Sequence, residues 1–414
     1  MLFTKTMLMS GSGLGNRRTC PALFDLNTLS SSPSLKRSLE LSLLSKGSTT
    51  DLGRYAYVLS RLHTHSPSFA LGLETSAPGL RVLLVRHCEL RAAGRLMYYL
   101  GRYGHAARGT ARVLGGREVT GRIKRGLEEY GTYRVVGGPK EGAEYVFGVG
   151  KLGYRGDWGT QEADGVFRTI GDVVMSEGDL DDFSNFLWGL CMVDCGLGGM
   201  ELLTVGWARE MVSSMWTGLP GGGEGGMHPS QLKRLRNVMV AARAAGLDLN
   251  MSQEVRAALS KLDGARGRTD LTNKKVDNFS HAVSMAMLRQ GIDKTWGRWN
   301  SPFREGGARD LGGGKDSDMA VQFAFPEENV AWVLDGRNFF RRESDEPNGL
   351  HKVKGRVLES QGWKVKRTSW LEWEHVKGNY SGKETKEWIV GGMREMGVDL
   401  KFRVEPKWKD DDLY

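Results

Sequence analysis

The sequence predicts a chain in two parts, an α-helical amino-terminal body of solenoid-like hairpins and a small carboxy-terminal α/β domain. Three observations lead there. Apolar residues recur at intervals of three and four over most of the first three hundred positions, the period of an amphipathic helix. Glycine turns separate those segments, as helical hairpins require. After a polar, glycine-rich junction at "GGARDLGGGKDSD" the period changes to two, the signature of strands. The 414 residues are enough for two or three domains, each with its own core.

The elements follow in chain order. Residues 1–33 are basic, hydroxyl-rich and acid-poor, with Lys5, Arg17 and Arg18 preceding the first acid, Asp25. That composition is that of an organellar targeting segment or of an extended, solvated terminus. Residues 34–136 read as a basic helical region, with "LKRSLELSLL" and "LGRYAYVLSRL" as its clearest amphipathic runs. Residues 137–175, where "GGPKEGAEYVFGVGKLGYRGDWG" concentrates glycine, read as a loop or short hairpins. The glycines of "GVGKLG" lack the spacing and the following Ser or Thr of a phosphate-binding loop. Residues 176–305 return to helical hairpins, with acids crowding the first turn of "SEGDLDDFSNFLWGLCMV" as the helix dipole favours. Residues 306–317 form a linker.

From 318 to 400 the order is strand ("MAVQFAF"), turn ("PEEN"), strand ("VAWVLD"), helix ("GLHKVKGRVLESQG"), strand ("WKVKRTSW") and helix ("LEWEHV"). Leu350, Val353, Val357 and Leu358 are expected on one apolar stripe of the first of these helices. Residues 401–414 are a tail that mixes charge with Trp408 and Tyr414 and suits docking on RNA or a neighbouring chain.

The formal charge of +9 favours a polyanionic partner. Nucleic acid is preferred to a membrane, because no stretch reaches the roughly 18 consecutive apolar residues of a span. Between Leu80 and Gly126 the basic residues include Arg81, Arg86, Arg91, Arg95, Arg102, Arg108 and Arg112, against only Glu89 and Glu118. Arginine's planar fork matches phosphate oxygens, so these are candidate RNA contacts. Tyr98, Tyr99 and Tyr103 lie among them as stacking residues or as core. Cys20, Cys88, Cys191 and Cys195 are too few and scattered for a disulfide framework and read as ordinary buried thiols of a reducing compartment. Cys191 and Cys195 lack the further ligands a metal site needs, and no cofactor or metal is expected.

Residues of the carboxy-terminal part carry a resemblance. A strand ending in Asp335-Gly336, the aromatics Phe339 and Phe340, the helical "LHKVKGRVL", then "GWKV" and "SWLEWE", in that order, resemble a RAP domain over about the last quarter of the chain. The resemblance implies a restriction-endonuclease-like fold, RNA binding, residence in an organelle and a helical array as the main RNA-reading surface.

Enzyme and binder are then weighed on particular residues. Nucleases of that fold class hold a metal with at least two carboxylates, here Asp318 and Asp335, and commonly position water with a lysine. Arg337 occupies that lysine's place and cannot shed its proton. In many members of the family an acid precedes the strand-end Asp by two positions and a His follows shortly; Val333 and Phe339 stand there instead. The expectation is a domain without catalytic residues, in which Asp335 caps backbone amides. His351 reads as an ordinary surface residue, and Trp363 and Trp370 as covers for the sheet. Candidate RNA contacts in this domain are Arg337, Lys352, Lys354, Arg356, Lys364, Lys366, Arg367 and Trp373.

The function these readings imply is that of an organellar RNA-binding protein. Ribosomal RNA is the expected partner, bound together with neighbouring ribosomal or assembly proteins in a mitochondrion, with a plastid as the alternative. A messenger-RNA stability or processing factor and a metal-dependent endonuclease are the competing functions.

Overall fold

The computed structural model describes residues 33–61, 66–75, 77–103, 108–130, 137–153, 160–194, 210–211, 213–214, 228–247, 283, 286, 321, 323–325, 328–336, 339–340 and 346–398. The segments 1–32, 306–317 and 401–414, together with Asp318, Arg337 and most of 251–305, lie outside the described residues. Eleven helices precede the sheet among the described residues: α1 (Pro33–Lys46), α2 (Thr49–Arg61), α3 (Pro67–Thr75), α4 (Ala77–His87), α5 (Leu90–Tyr103), α6 (Arg108–Leu114), α7 (Arg117–Tyr130), α8 (Pro139–Leu152), α9 (Thr160–Glu177), α10 (Leu180–Asp194) and α11 (Pro229–Ala244).

These helices form two rows. In the inner row α2, α5, α8, α10 and α11 lie side by side, each touching the next. In the outer row α1 pairs with α3, α4 with α6 and α7 with α9, and this row backs the first. The stacking of hairpins is that of an α-solenoid. Its core runs unbroken from Leu52 on α2 through Leu96 and Leu100 on α5, Tyr145 and Val149 on α8 and Phe186 on α10 to Leu235 on α11.

The expected loop at 137–175 is instead two helices, α8 and α9. Glycine there permits close packing. A Cβ at Gly148 would sit 2.2 Å from the carbonyl oxygen of Met97 on α5, and one at Gly150 would sit 2.3 Å from the carbonyl oxygen of Gly189 on α10. Glycine costs helix propensity, about 1 kcal/mol against alanine, but here it lets backbones meet where any side chain would hold them apart. Pro139 and the Glu141 carboxylate, which accepts from the Gly138 amide at 3.1 Å, start α8.

The carboxy-terminal part contains a three-stranded sheet of order β1 (Phe323–Phe325), β2 (Val330–Asp335), β3 (Lys364–Ser369). β1 pairs antiparallel with β2, and β2 pairs parallel with β3 in a register that sets Asp335 opposite Ser369. The chain crosses from β2 to β3 through α12 (Gly349–Ser360), then continues into α13 (Trp370–Asn379) and α14 (Gly382–Glu395). Every residue of β2 is buried because both faces are covered. Phe323, Val330, Trp332 and Leu334 meet Trp373, Val376, Ile389 and Met393 of α13 and α14, while Ala331 and Val333 meet Leu358 and Trp363.

The apolar stripe expected on α12 is divided between two neighbours. Leu358 faces the sheet, whereas Leu350, Val353 and Val357 join the core of the helical body with Phe339 and Phe340. α12 packs on α8, α10 and α11, so it belongs to both parts. A Cβ at Gly349 would lie 1.8 Å from the carbonyl oxygen of Gly150, which brings α12 backbone to backbone with α8. The α/β part is therefore joined to the core of the body through α12, Phe339 and Phe340, while its sheet keeps two apolar clusters of its own.

Candidate nucleic-acid interface

On α5 nine of the fourteen residues are buried, and four of the half-buried ones fall on one line: Arg91, Arg95, Tyr98 and Arg102. Their spacing of four, three and four places them along one edge of the helix. The edge is continued on both sides. Tyr57 of α2 receives the Arg95 guanidinium at 4.8 Å and the Lys140 ammonium of α8 at 5.1 Å over its ring. Lys140 also donates to the Tyr57 hydroxyl at 3.4 Å. Arg102 lies 5.9 Å from the Tyr98 ring, and that ring packs 5.5 Å from Phe147 of α8. Lys151 follows Phe147 by one turn.

The stripe across α2, α5 and α8 thus interleaves cations with aromatic rings. Cations over ring faces contribute about 0.5–1 kcal/mol each at exposed sites, and they hold long side chains in defined positions. The acids beneath are withdrawn: Glu141 is buried and bonded to Arg95 at 3.0 Å, and Glu144 is buried. Half-buried cations beside aromatics, with the acids below, are the chemistry suited to a phosphodiester strand with unpaired bases.

The arginines of 81–125 do not form one face. Arg91, Arg95 and Arg102 belong to this inner stripe, whereas Arg86 on α4 and Arg112 on α6 are exposed on the outer row. The side chains of Arg81 and Arg108 lie outside the described residues. Tyr99 is buried and donates to the Ser66 carbonyl, and Tyr103 donates to the Leu59 carbonyl at 3.4 Å, so both hold the core together. Tyr57, Lys140, Phe147 and Lys151 were not singled out from the sequence. The recurrence of non-apolar residues at 91, 95, 98 and 102 was a signal for the stripe, but the partners on α2 and α8 follow only from packing.

A second constellation lies at the end of β2. Asp335 is 1% exposed, and its Oδ2 accepts from Arg367 of β3 at 2.7 Å and lies 3.1 Å from His351 Nε2 of α12. Arg367 also donates to the His351 carbonyl oxygen at 2.9 Å. Burial by itself would raise the Asp335 carboxyl. The hydrogen bond from His351 and the charges of Arg367, His351 and Lys354 outweigh that and hold it below the ordinary carboxylate range. Asp335 is therefore a hub joining side chains of β3 and α12 and not the cap of backbone amides expected from sequence. That cap is Asn348, whose side chain accepts from the His351 amide at 3.1 Å. His351, expected at the open surface, packs against Phe340 and Asp335.

Among the other residues proposed from sequence, Lys354 is buried with its ammonium 4.8 Å from the Phe339 ring centre. Trp373 is buried among the apolar residues of α14, its ring 6.1 Å from Trp388. Neither side chain is presented outward. Lys352 and Arg356 are half-buried on α12, and Lys352 donates to the Gly153 carbonyl at 3.3 Å. Lys364 is exposed and Lys366 half-buried on the edge strand β3. Trp363 covers the sheet as expected, while Trp370 packs toward the helical body. No group of three metal-ligating side chains occurs among the described residues. Cys88 and Cys191 are buried, and burial pushes the Cys88 thiol up to about 12.

Residues 332–387 match the family model described as RAP domain. The chain carries a RAP domain. It covers β2, α12, β3, α13 and the start of α14, and it contains the Asp335 hub. No curated protein is similar enough to the chain to match it. A RAP domain implies an RNA partner, and no described helix is long and apolar enough to cross a membrane.

Proposed function

We propose that the protein binds ribosomal RNA in a mitochondrion, as a component of the ribosome or a factor in its assembly. The observation that carries the RNA-binding part is the stripe of Arg91, Arg95, Tyr98 and Arg102 with Tyr57, Lys140 and Phe147 beside it. Phosphate contacts from arginine and lysine give affinity with little base information, as suits a protein held against a large folded RNA. The basic, acid-poor residues 1–33 support an organellar address.

The reading is that of a binder and not a nuclease. A carboxylate that holds magnesium needs its oxygens for the metal. Asp335 Oδ2 is instead shared by Arg367 and His351, and the fixed charge of Arg367 opposes a cation in that position. The RAP domain serves as a rigid part of the RNA-holding surface.

Ultraviolet crosslinking in cells with sequencing of the attached RNA, run beside gradient sedimentation, tests the proposal. Crosslinks concentrated on ribosomal RNA, with the protein moving among ribosomal subunits or their precursors, are expected. Crosslinks spread over messenger RNAs and a protein confined to light fractions overturn it in favour of a transcript-stability factor.

A further inference from the structure

We infer that the helical body and the RAP domain form one track, along which a single strand of RNA passes from α5 over the end of α8 onto α12. The inference rests on the RNA-binding reading above and goes beyond it by naming the form of the RNA and the path it takes.

The path is laid out by contacts. Arg102 of α5 lies over Tyr98, whose ring packs against Phe147 of α8, and Lys151 stands one turn further along α8. Two residues on, α8 ends at Gly153 in a left-handed conformation, φ 59°. The Gly153 carbonyl receives the Lys352 ammonium of α12 at 3.3 Å, and Arg356 lies one turn beyond Lys352. The half-buried side chains along this path are aromatic or cationic, and Phe147 with Lys151 on α8 and Lys352 with Arg356 on α12 each stand one helical turn apart, roughly 5–6 Å.

The seam between the two parts is rigid. Gly349 and Gly150 meet backbone to backbone, and Leu350, Val353 and Val357 are buried in the core of the body. Lys352 is therefore held in fixed relation to Lys151, and a strand bound to one is delivered to the other without any movement of domains. Bases of a single strand have open faces for Tyr98 and Phe147, whereas a duplex conceals them. The partner chemistry is thus single-stranded RNA.

The experiment compares a uridine hexamer with a uridine twenty-mer, a short and a long strand relative to the roughly 4–16 nucleotides one binding module covers, on the full chain and on the double variant Lys352→Gln/Arg356→Gln. Two linked sites gain about a hundredfold or more over one, so the twenty-mer is expected to bind the parent at least that much more tightly. The double variant is expected to abolish most of this gain and to lower the slope of log K against log salt for the twenty-mer by about 1.4. Circular dichroism and a thermal melt establish that the variant keeps its fold; if it does not, a twenty-mer carrying one photoactivatable base at either end replaces it. Crosslinks to α5 from one end and to α12 from the other support the track. Equal crosslinking of both ends to both places overturns it, as does a double variant that binds the twenty-mer like the parent. A duplex bound as tightly as the single strand overturns the assignment of partner. If neither RNA binds the parent, the RNA-binding reading fails as well.

Discussion

Asp335→Asn removes the charge at the centre of the RAP domain while nearly keeping the shape of the side chain. Asp335 is 1% exposed and Lys354 equally so, with Arg367 only partly open to water. Two charge-assisted hydrogen bonds converge on Oδ2, at 2.7 Å from Arg367 and 3.1 Å from His351, and such bonds contribute about 1.5–3 kcal/mol each. The amide oxygen of asparagine still accepts from Arg367, so part of that is retained. The expected loss is about 2–4 kcal/mol at pH 7, near the lower end of the cost of removing one partner from a buried pair.

The pH dependence follows from the depressed Asp335 carboxyl. A carboxyl that sits lower in the folded chain stabilises the fold above its unfolded value of about 3.9 and loses that contribution as pH falls through the folded value. The gap between parent and variant is therefore full at pH 7 and closes below about pH 4. Urea unfolding followed by tryptophan fluorescence from pH 7 to 3.5 measures it, and Trp332, bonded through Nε1 to Thr368 Oγ1 at 2.9 Å, reports from the adjacent sheet. A variant as stable as the parent at pH 7 refutes the hub. So does a gap that widens on acidification.

Gly349→Ala places a methyl group against the Gly150 carbonyl and is expected to cost about 1–3 kcal/mol by overpacking, seen as faster proteolysis between the body and the RAP domain. Gly391→Ala, on α14 with nothing within 4 Å of the added carbon, should instead stabilise by up to about 1 kcal/mol in the same urea assay. Asp182 is pushed up to about 6, by burial first and then by the charge of Asp179. An acid raised in the folded state favours the fold below its unfolded value and loses that as pH rises through the folded one. Asp182→Asn is thus expected to raise the melting temperature at pH 8 and to leave it unchanged at pH 4. Replacing Arg102 and Lys151 by glutamine should lower the salt slope of single-stranded RNA binding by about 1.4, measured by fluorescence anisotropy across a salt series.

The strands and the first RAP helix were legible because their signals are local. An apolar run ends at Asp335-Gly336, a "PEEN" turn precedes it, and glycine closes the helix at Gly362. Helix α14 was passed over although Ser381 and Glu384 form a capping box at its start, in which the Ser381 amide donates to Glu384 at 2.7 Å. Helices α8 and α9 depart from the loop that their glycines predict for a different reason. Glycine lowers helix propensity in the same way whether it frees a loop or lets two helices touch, and only the neighbouring α5 and α10 distinguish the cases. The partners of Asp335 were equally hidden. Arg367 lies 32 residues away and reaches it only because β3 pairs parallel with β2. The basic character of 81–125 was plain in the sequence, but its division between inner and outer rows depends on which side of each helix the core takes.

The contact of Gly349 with Gly150 has a consequence for engineering. A module joined to its host through side chains can be moved to another host by repacking a few of them. Here the joint is made of two main chains touching, and no choice of rotamer widens it. A chimera that grafts this RAP domain onto a different helical array will seat it only where the recipient helix also lacks a side chain at the meeting turn.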